Sequence, residues 1–187
     1  MDESIIGSDE VLKGDTFGGI VVAAVKADSR IRGELAKLGV KDSKKLSDKK
    51  VMQLSKEIKK IASCEVISLL PEEYNKHNSL TSLLNQMHTK AAKALLPGKH
   101  IIDKYPGCTV GDVIEEKAES KYIEVAAASI LARAAGLQQF DYLSKIAGFK
   151  LPMGSTHVKG ALEELKRRNF DFNKFVKVDF RNVKEFL

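Results

Sequence analysis

The segment around which this chain is organised is Ser4-Ile5-Ile6-Gly7-Ser8-Asp9-Glu10-Val11, in which two adjacent carboxylates follow the apolar pattern of a β-strand. Strands disfavour Asp, and a buried carboxylate is costly unless it is paired or binds a metal ion. The pair Asp9-Glu10 therefore has two interpretations. Either the strand has ended and both acids begin a solvated turn, or they belong to a metal site at the edge of a sheet.

The segments that follow predict strands alternating with helices after an initial hairpin. A glycine-rich turn at 14–19 leads into a continuous apolar run at 20–25, which suits a strand buried on both faces. Apolar residues at intervals of three and four predict helices, and Ser47 is a good N-terminal cap for one of them. The remaining predicted strands are 64–70, 100–103 and 110–116, and the predicted helices are 28–38, 48–62, 80–96, 123–147 and 155–169. This order indicates an α/β domain with a mixed sheet.

The size and charge of the chain favour a globular domain that binds a polyanion over a membrane-spanning protein. The 187 residues are 43% hydrophobic and 30% charged, which is ordinary for one globular domain. No apolar run approaches the ~18 residues that span a bilayer. The net charge of +6, with lysine clusters at 41–50, 56–60 and 166–168, suits a polyanionic partner such as nucleic acid. Cys64 and Cys108 have no metal-ligand spacing, so we expect reduced thiols in the cytosol.

Acidic residues recur where apolar segments end. Asp9-Glu10, Asp103 and Glu119 come from distant parts of the chain, and we expect them to converge at one edge of the sheet. Mg²⁺ prefers a few carboxylate oxygens, with water and substrate phosphate completing its octahedron. Two such ions can activate the attacking water and stabilise the leaving oxygen of a phosphodiester. The four histidines have no zinc-like spacing and are predicted to lie at the surface: His77, His88, His100 and His157.

Several motifs in order along the chain resemble those of the type 2 ribonucleases H, and of ribonuclease HIII in particular. The opening motif is Gly7-Ser8-Asp9-Glu10-Val11-Leu12-Lys13-Gly14-Asp15-Thr16-Phe17-Gly18. The later blocks are Gly39-Val40-Lys41-Asp42-Ser43-Lys44-Lys45-Leu46, Ile101-Ile102-Asp103, Lys117-Ala118-Glu119-Ser120-Lys121-Tyr122 running into the alanine-rich segment 125–133, and Phe149-Lys150-Leu151-Pro152-Met153-Gly154. The resemblance covers nearly the whole chain.

This resemblance implies a ribonuclease H-like fold, with a central mixed sheet flanked by helices and a helical C-terminal region at about 150–187. It implies one catalytic domain over 1–187 that cleaves the RNA strand of RNA/DNA hybrids, leaving 5′-phosphate and 3′-hydroxyl ends. The metal ligands, for two Mg²⁺ or Mn²⁺ ions, would be Asp9, Glu10, Asp103 and Glu119. The substrate-binding residues would be Lys13, Gly14, Ser43, Lys44, Lys45 and Ser129. Lys117 and Arg133 could serve either charge balance or substrate contact.

Two departures from the family pattern bear on activity. Leu12 stands where the family usually has glycine in a Gly-x-Gly loop, and a side chain there is expected to restrict the approach of the backbone to ribose. The N-terminal substrate-binding domain of many ribonucleases HIII is expected to be absent. The alternatives are nicking at single ribonucleotides in DNA, as in ribonuclease HII, and a catalytically weak hybrid-binding protein. We expect a cytoplasmic monomer that acts in DNA replication and repair without membrane contact.

Overall fold

A computed structural model describes residues 4–40 and 43–187 of the chain. Lys41 and Asp42, which belong to the second motif and to a predicted basic cluster, lie outside the described residues. The strands are β1 (Ile5–Val11), β2 (Ile20–Ala27), β3 (Ser63–Leu69), β4 (Lys99–Asp103) and β5 (Val113–Glu115). The α-helices are α1 (Ser29–Lys37), α2 (Asp48–Ile61), α3 (Pro71–Tyr74), α4 (Leu80–Lys93), α5 (Ile123–Ala147), α6 (Lys159–Arg167) and α7 (Arg181–Lys184). Short 3₁₀ turns occupy Ser43–Lys45, Ala118–Ser120 and Phe172–Lys174.

The five strands form one mixed sheet in the order β3-β2-β1-β4-β5. β1 and β2 are neighbours, as the predicted hairpin requires. β4 pairs in parallel with β1 on one side and with β5 on the other. The mixed sheet with flanking helices confirms the predicted fold class.

Close packing of α5 on β1 depends on small residues. A Cβ atom added to Gly7 would lie only 2.4 Å from the backbone nitrogen of Val125, so a side chain at this position would push the helix away. Ala127 and Ala128 of the same helix are fully buried. The alanine-rich composition of this segment therefore fits a helix whose first turns press directly against a central strand.

The start of α2 is determined by a local signal, as predicted. The Ser47 hydroxyl accepts a hydrogen bond from the Lys50 amide at the start of α2, which satisfies one of the amides that a helix leaves unpaired. Val51, Leu54 and Ile58 form the buried face of that helix. The predicted strand at 110–116 is shorter in the structure, where β5 has three residues.

The chain divides into two compact units. The first contains the described residues of Met1–Val11, Val22–Ile67 and Ser79–Ala135, and the second contains Leu12–Val21, Ser68–Asn78 and Gly136–Leu187. The C-terminal segment, whose form the sequence leaves partly open, consists of α6, the 3₁₀ turn Phe172–Lys174 and α7. Within the described residues, the longest helices are too short or too polar to cross a membrane.

Candidate active site

The register between β1 and β4 brings Asp9 and Asp103 to the same edge of the sheet. Gly7 pairs with Ile101 and Ser8 with Ile102, so Asp9 and Asp103 are the next residues of the two parallel strands. The carboxyl ends of parallel strands are the usual location of ligand sites in open α/β sheets. Two of the predicted acids, distant in sequence, are thus neighbours in the fold.

The fourth acid, Glu119, is fixed beside Asp103 by the turn that follows β5. The Ala118 amide donates a 2.8 Å hydrogen bond to Oδ1 of Asp103, which ties the 3₁₀ turn Ala118–Ser120 to the end of β4. The charges of Glu119 and Glu10 both act on the Asp103 carboxyl. The four predicted metal ligands therefore lie together within the first unit.

Burial, and then the crowding of these carboxylates, perturb their protonation. Burial, and then the charge of Glu10, raise the pKa of Asp9 to about 8. The Ser129 hydroxyl and the Glu10 amide donate hydrogen bonds to Asp9 and oppose this rise. Burial also raises the pKa of Asp103, with smaller contributions from Glu119 and Glu10. Like charges held together in this way attract a cation that would neutralise them.

The residues present fit a hard divalent cation. Oε2 of Glu119 is buried and has no hydrogen-bond partner among the described residues, and a buried carboxylate oxygen of this kind is costly unless something coordinates it. Within residues 4–40 and 43–187, no group of three or more His, Cys, Asp or Glu side chains is arranged so that it could hold a metal ion. Mg²⁺ does not need such a cage, since it usually takes one or two carboxylates together with water and substrate phosphates.

Ser43, Lys44 and Ser129 also lie in this unit. The hydroxyls of Ser43 and Ser129 are 2.7 Å apart and both residues are buried, so each is bonded within the protein. Nζ of Lys44 lies 3.6 Å from Oε1 of Glu119, and its side chain is 79% exposed. Lys45 is exposed as well. The site thus presents lysine side chains to solvent and keeps the two serines inside.

Arg133 is bonded within the first unit. Its guanidinium donates hydrogen bonds to the carbonyls of Ser43 and Leu46 and pairs with Asp48 at 2.6 Å. It therefore holds the segment that carries Lys44. Lys117 has a left-handed backbone, with φ of 56°, and its side chain lines an open groove that also contains Asp103 and Glu119.

The prediction that all four histidines lie at the surface is wrong for two of them. His77 and His157 are exposed, but His88 and His100 are buried. The Ser8 hydroxyl bonds to Nδ1 of His88 at 2.8 Å and to Nε2 of His100 at 2.7 Å. Burial, together with the nearby His88, lowers the pKa of His100 to about 4. Nε2 of His88 lies 3.4 Å from Oε2 of Glu10, so this network reaches the acids.

This histidine network had only a faint signal in the sequence. Ser8 belongs to the opening motif, but nothing in the spacing of the histidines links His88 on α4 to His100 on β4. They meet because α4 packs against β1 while β4 pairs with it. Spatial neighbours of this kind follow from topology and not from spacing along the chain.

The loop that follows β1 belongs to the second unit. Lys13 and Gly14 are exposed at its tip, whereas Leu12 is only 2% exposed. Leu12 has φ of 72°, a left-handed conformation that glycine adopts without steric cost. Its side chain packs beside Gly18, since a Cβ atom added to that glycine would lie 3.1 Å from Cδ1 of Leu12. Leu12 therefore takes the backbone conformation of a glycine while its side chain serves packing.

Comparison with known proteins gives a family match over most of the chain. The sequence profile of the family described as Ribonuclease HII matches residues 6–183. Ribonuclease HIII of Limosilactobacillus fermentum is 34% identical over 209 residues, covering 97% of this chain and 68% of that protein. Ribonuclease HIII of Streptococcus agalactiae serotype Ia is 35% identical over 184 residues, covering 83% of this chain and 61% of that protein. The chain thus spans between 61% and 68% of these two relatives.

Solved structures of ribonucleases HIII also superpose on nearly the whole chain. A crystal structure of Bst-RNase HIII in complex with Mn²⁺ superposes with a TM-score of 0.87 at 31% identity, covering 99% of this chain and 69% of that one. RNase H3 of Aquifex aeolicus gives a TM-score of 0.80 at 30% identity, covering 95% of this chain and 72% of that one.

Proposed function

We propose that this chain, which belongs to the ribonuclease HII family, is a metal-dependent endonuclease that hydrolyses the RNA strand of RNA/DNA hybrids. The observation that carries the proposal is the convergence of Asp9, Glu10, Asp103 and Glu119 at the carboxyl ends of β1 and β4. The names of its relatives, Ribonuclease HIII, support the same reaction class.

The acids would hold two divalent cations, Mg²⁺ or Mn²⁺, through their carboxylate oxygens. When bound there, such cations would supply charge that activates water and stabilises the leaving oxygen of a phosphodiester, and the products would carry 5′-phosphate and 3′-hydroxyl ends. The protein's own part is to fix the carboxylates. The Ala118 amide orients Asp103, and the Ser129 hydroxyl orients Asp9. The Mn²⁺ in the structure of Bst-RNase HIII supports a divalent cation in this site.

Substrate contacts would come from exposed groups in each unit. In the first unit, Lys44 and Lys45 would bind backbone phosphates, and the buried Ser43 and Ser129 would support them from below. In the second unit, the exposed Lys13-Gly14 amides would meet the 2′-hydroxyl of the RNA strand. The 2′-hydroxyl is the group by which a protein distinguishes RNA from DNA.

A second candidate is nicking beside a single ribonucleotide embedded in duplex DNA. The sequence Leu12-Lys13-Gly14 differs from the Gly-Arg-Gly that the ribonuclease HII branch carries in this loop, which favours cleavage of continuous hybrids. A hybrid-binding protein without catalysis would have no need of four clustered acids, whose mutual repulsion is a cost to the fold.

The decisive experiment compares two duplexes with each metal. We expect cleavage of a uniform RNA/DNA hybrid in Mg²⁺ or Mn²⁺, and much slower cleavage of a duplex with one ribonucleotide. End-labelling of the products identifies the 5′-phosphate and 3′-hydroxyl. Tight hybrid binding without cleavage in either metal would overturn the proposal, and preferential nicking of the single-ribonucleotide duplex would replace it with the second candidate.

Three further proposals concern how the enzyme works as a whole. Residues 1–187 would act as one catalytic domain, because all four acids come from one chain. For the same reason the active species would be a monomer, which sedimentation of the active protein would test. Its location would be the cytoplasm, where its nucleic-acid substrate is made.

A further inference from the structure

The loop between β1 and β2 is held by a lysine that the proposed reaction does not use. Lys177 is completely buried, a rare position for lysine. Its ammonium donates a 2.5 Å hydrogen bond to the carbonyl of Asp15 and a 3.1 Å hydrogen bond to the carbonyl of Gly18. Both carbonyls belong to the loop that presents Lys13-Gly14. One side chain therefore bridges two points of the same loop.

The groups around this ammonium favour its charged form, whereas its burial favours the neutral form. The rings of Tyr74 and Phe180 lie 5.4 and 5.3 Å from Nζ, within cation–π distance. The carboxylates of Asp15 and Asp179 are the charged groups that act on it. Burial lowers the pKa of Lys177 to about 8, so the side chain is still mostly charged at neutral pH. Hydrogen bonds from a charged donor are stronger than neutral ones.

Backbone contacts fix the loop on both sides of this bridge. The Thr16 amide donates to the carbonyl of Gly154, and the Gly154 amide donates to Oδ1 of Asp15 at 2.6 Å. The Lys177 amide in turn donates to the carbonyl of Thr16. The Asp15–Gly18 half of the loop is thus fully anchored, and the exposed pair Lys13-Gly14 lies between this anchor and the buried Leu12.

We propose that Lys177 is a positioning residue for ribose recognition, which sets the Lys13-Gly14 amides in the geometry that selects RNA over DNA. This inference rests on the proposed hybrid substrate. Recognition of a single hydroxyl requires the donor or acceptor to be held within a few tenths of an ångström, and supporting residues provide that precision. A loop that needed only to be covered could be packed with an apolar side chain, which avoids the cost of burying a charge.

The test replaces Lys177 with methionine, which has a similar length and lacks the ammonium. Lys174→Met is the matched control, because Lys174 lies three residues earlier and is exposed. We expect Lys177→Met to lose about tenfold in affinity for hybrid, measured without divalent metal, and to retain its affinity for all-DNA duplex. The KM for hybrid cleavage should rise to a similar extent while kcat stays within about twofold. Lys174→Met should match the wild type in all of these.

Asp15→Ala is the second variant, because it removes the Gly154 contact and leaves the buried lysine in place. It should lower the preference for hybrid over DNA in the same direction, by about threefold. If Lys177→Met does not fold, the result with Asp15→Ala decides. An unchanged ratio of hybrid to DNA affinity in the folded variants would overturn the positioning role, while failure of the wild type to cleave hybrid would overturn the proposed function instead.

Discussion

Two regions of the molecule bury charge, and they do so in opposite ways. Around Asp9, carboxylates of like sign lie together, and Oε2 of Glu119 is buried with no hydrogen-bond partner in the part of the chain that the structure describes. Around Lys177, a single ammonium has two carbonyl acceptors and two aromatic rings, with opposite charges from Asp15 and Asp179 nearby. The acid cluster is electrostatically incomplete, whereas the lysine site is satisfied by the protein itself.

This is the difference that we expect between the proposed metal site and a structural support. An incomplete cluster costs folding free energy that a bound cation recovers, so its residues are expected to be dispensable for folding and essential for chemistry. A satisfied buried charge stabilises one conformation of the loop, so its loss is expected to affect geometry and not the chemical step. The predictions below test that contrast, beginning with the largest effect.

Asp103→Asn should nearly abolish hybrid cleavage and leave the fold intact. The amide keeps the shape of the carboxyl but loses the charge that holds a metal ion, so we expect a rate loss of at least about 100-fold, or roughly 3 kcal/mol of barrier. Cleavage at saturating Mg²⁺ and circular dichroism measure the two properties. Asp141→Asn, on the exposed face of α5, is the control. A variant that keeps more than about a tenth of the wild-type rate would contradict the assignment of Asp103.

The dependence of hybrid affinity on salt concentration should distinguish the exposed lysines from the buried Lys177. If Lys13, Lys44 and Lys45 each contact a phosphate, the affinity for hybrid should fall roughly 40-fold between 50 and 200 mM salt, taking the slope of about −0.9 per contact known for B-form DNA. Lys44→Met should reduce that slope by about 1. Lys177→Met should leave the slope unchanged, because the buried ammonium reaches no phosphate. A flat profile for the wild type would show that these lysines are not the binding surface.

Asp9→Asn should stabilise the metal-free protein at pH 8. The pKa of Asp9 is raised from 3.8 to about 8 on folding, so between these values the folded chain holds a proton that the unfolded chain has released. Stability therefore falls as pH rises through this range. Removing the carboxyl should raise the free energy of unfolding by roughly 2 kcal/mol, or the melting temperature by about 4–8 °C.

Two comparisons check this interpretation of Asp9. The stabilisation should be small near pH 4 and vanish below about pH 3, where the carboxyl is protonated in both states. Adding Mn²⁺ at pH 8 should raise the melting temperature of the wild type more than that of Asp9→Asn. A variant that is less stable than the wild type at pH 8 without metal would show that the acid cluster is satisfied after all.

The smallest expected effect is the difference in stability between two variants of Leu12, whose backbone is left-handed and whose side chain is buried. Leu12→Gly and Leu12→Ala both lose the buried side chain and should be less stable than the wild type by about 2 kcal/mol or more. Glycine accepts φ of 72° without strain, so Leu12→Gly should be about 1 kcal/mol more stable than Leu12→Ala. Denaturant unfolding measures both, and equal stabilities would mean that the loop relaxes when the side chain is removed.

Local signals in the sequence were sufficient for most of the secondary structure. The cap at Ser47, the apolar face of α2 and the alanine-rich α5 are each determined by residues close together in the chain, and each was predicted. The convergence of Asp9, Glu10, Asp103 and Glu119 was also predicted, from acids at the ends of apolar segments and from the family resemblance. Parallel strands carry their carboxyl ends to one edge, so a pattern along the sequence translates directly into a site.

By itself, therefore, the sequence determined most of the elements and the fold class, because hydrophobic periodicity and capping are local properties, and it predicted the four acids from short motifs. Only the tertiary structure decided that His88 and His100 are buried, that Leu12 packs inward and that Lys177 is enclosed beneath a loop more than 150 residues earlier in the chain. These polar or strained residues have no distinctive local pattern. Their roles depend on partners distant in sequence, and burial of a charge becomes favourable only when the completed fold supplies those partners.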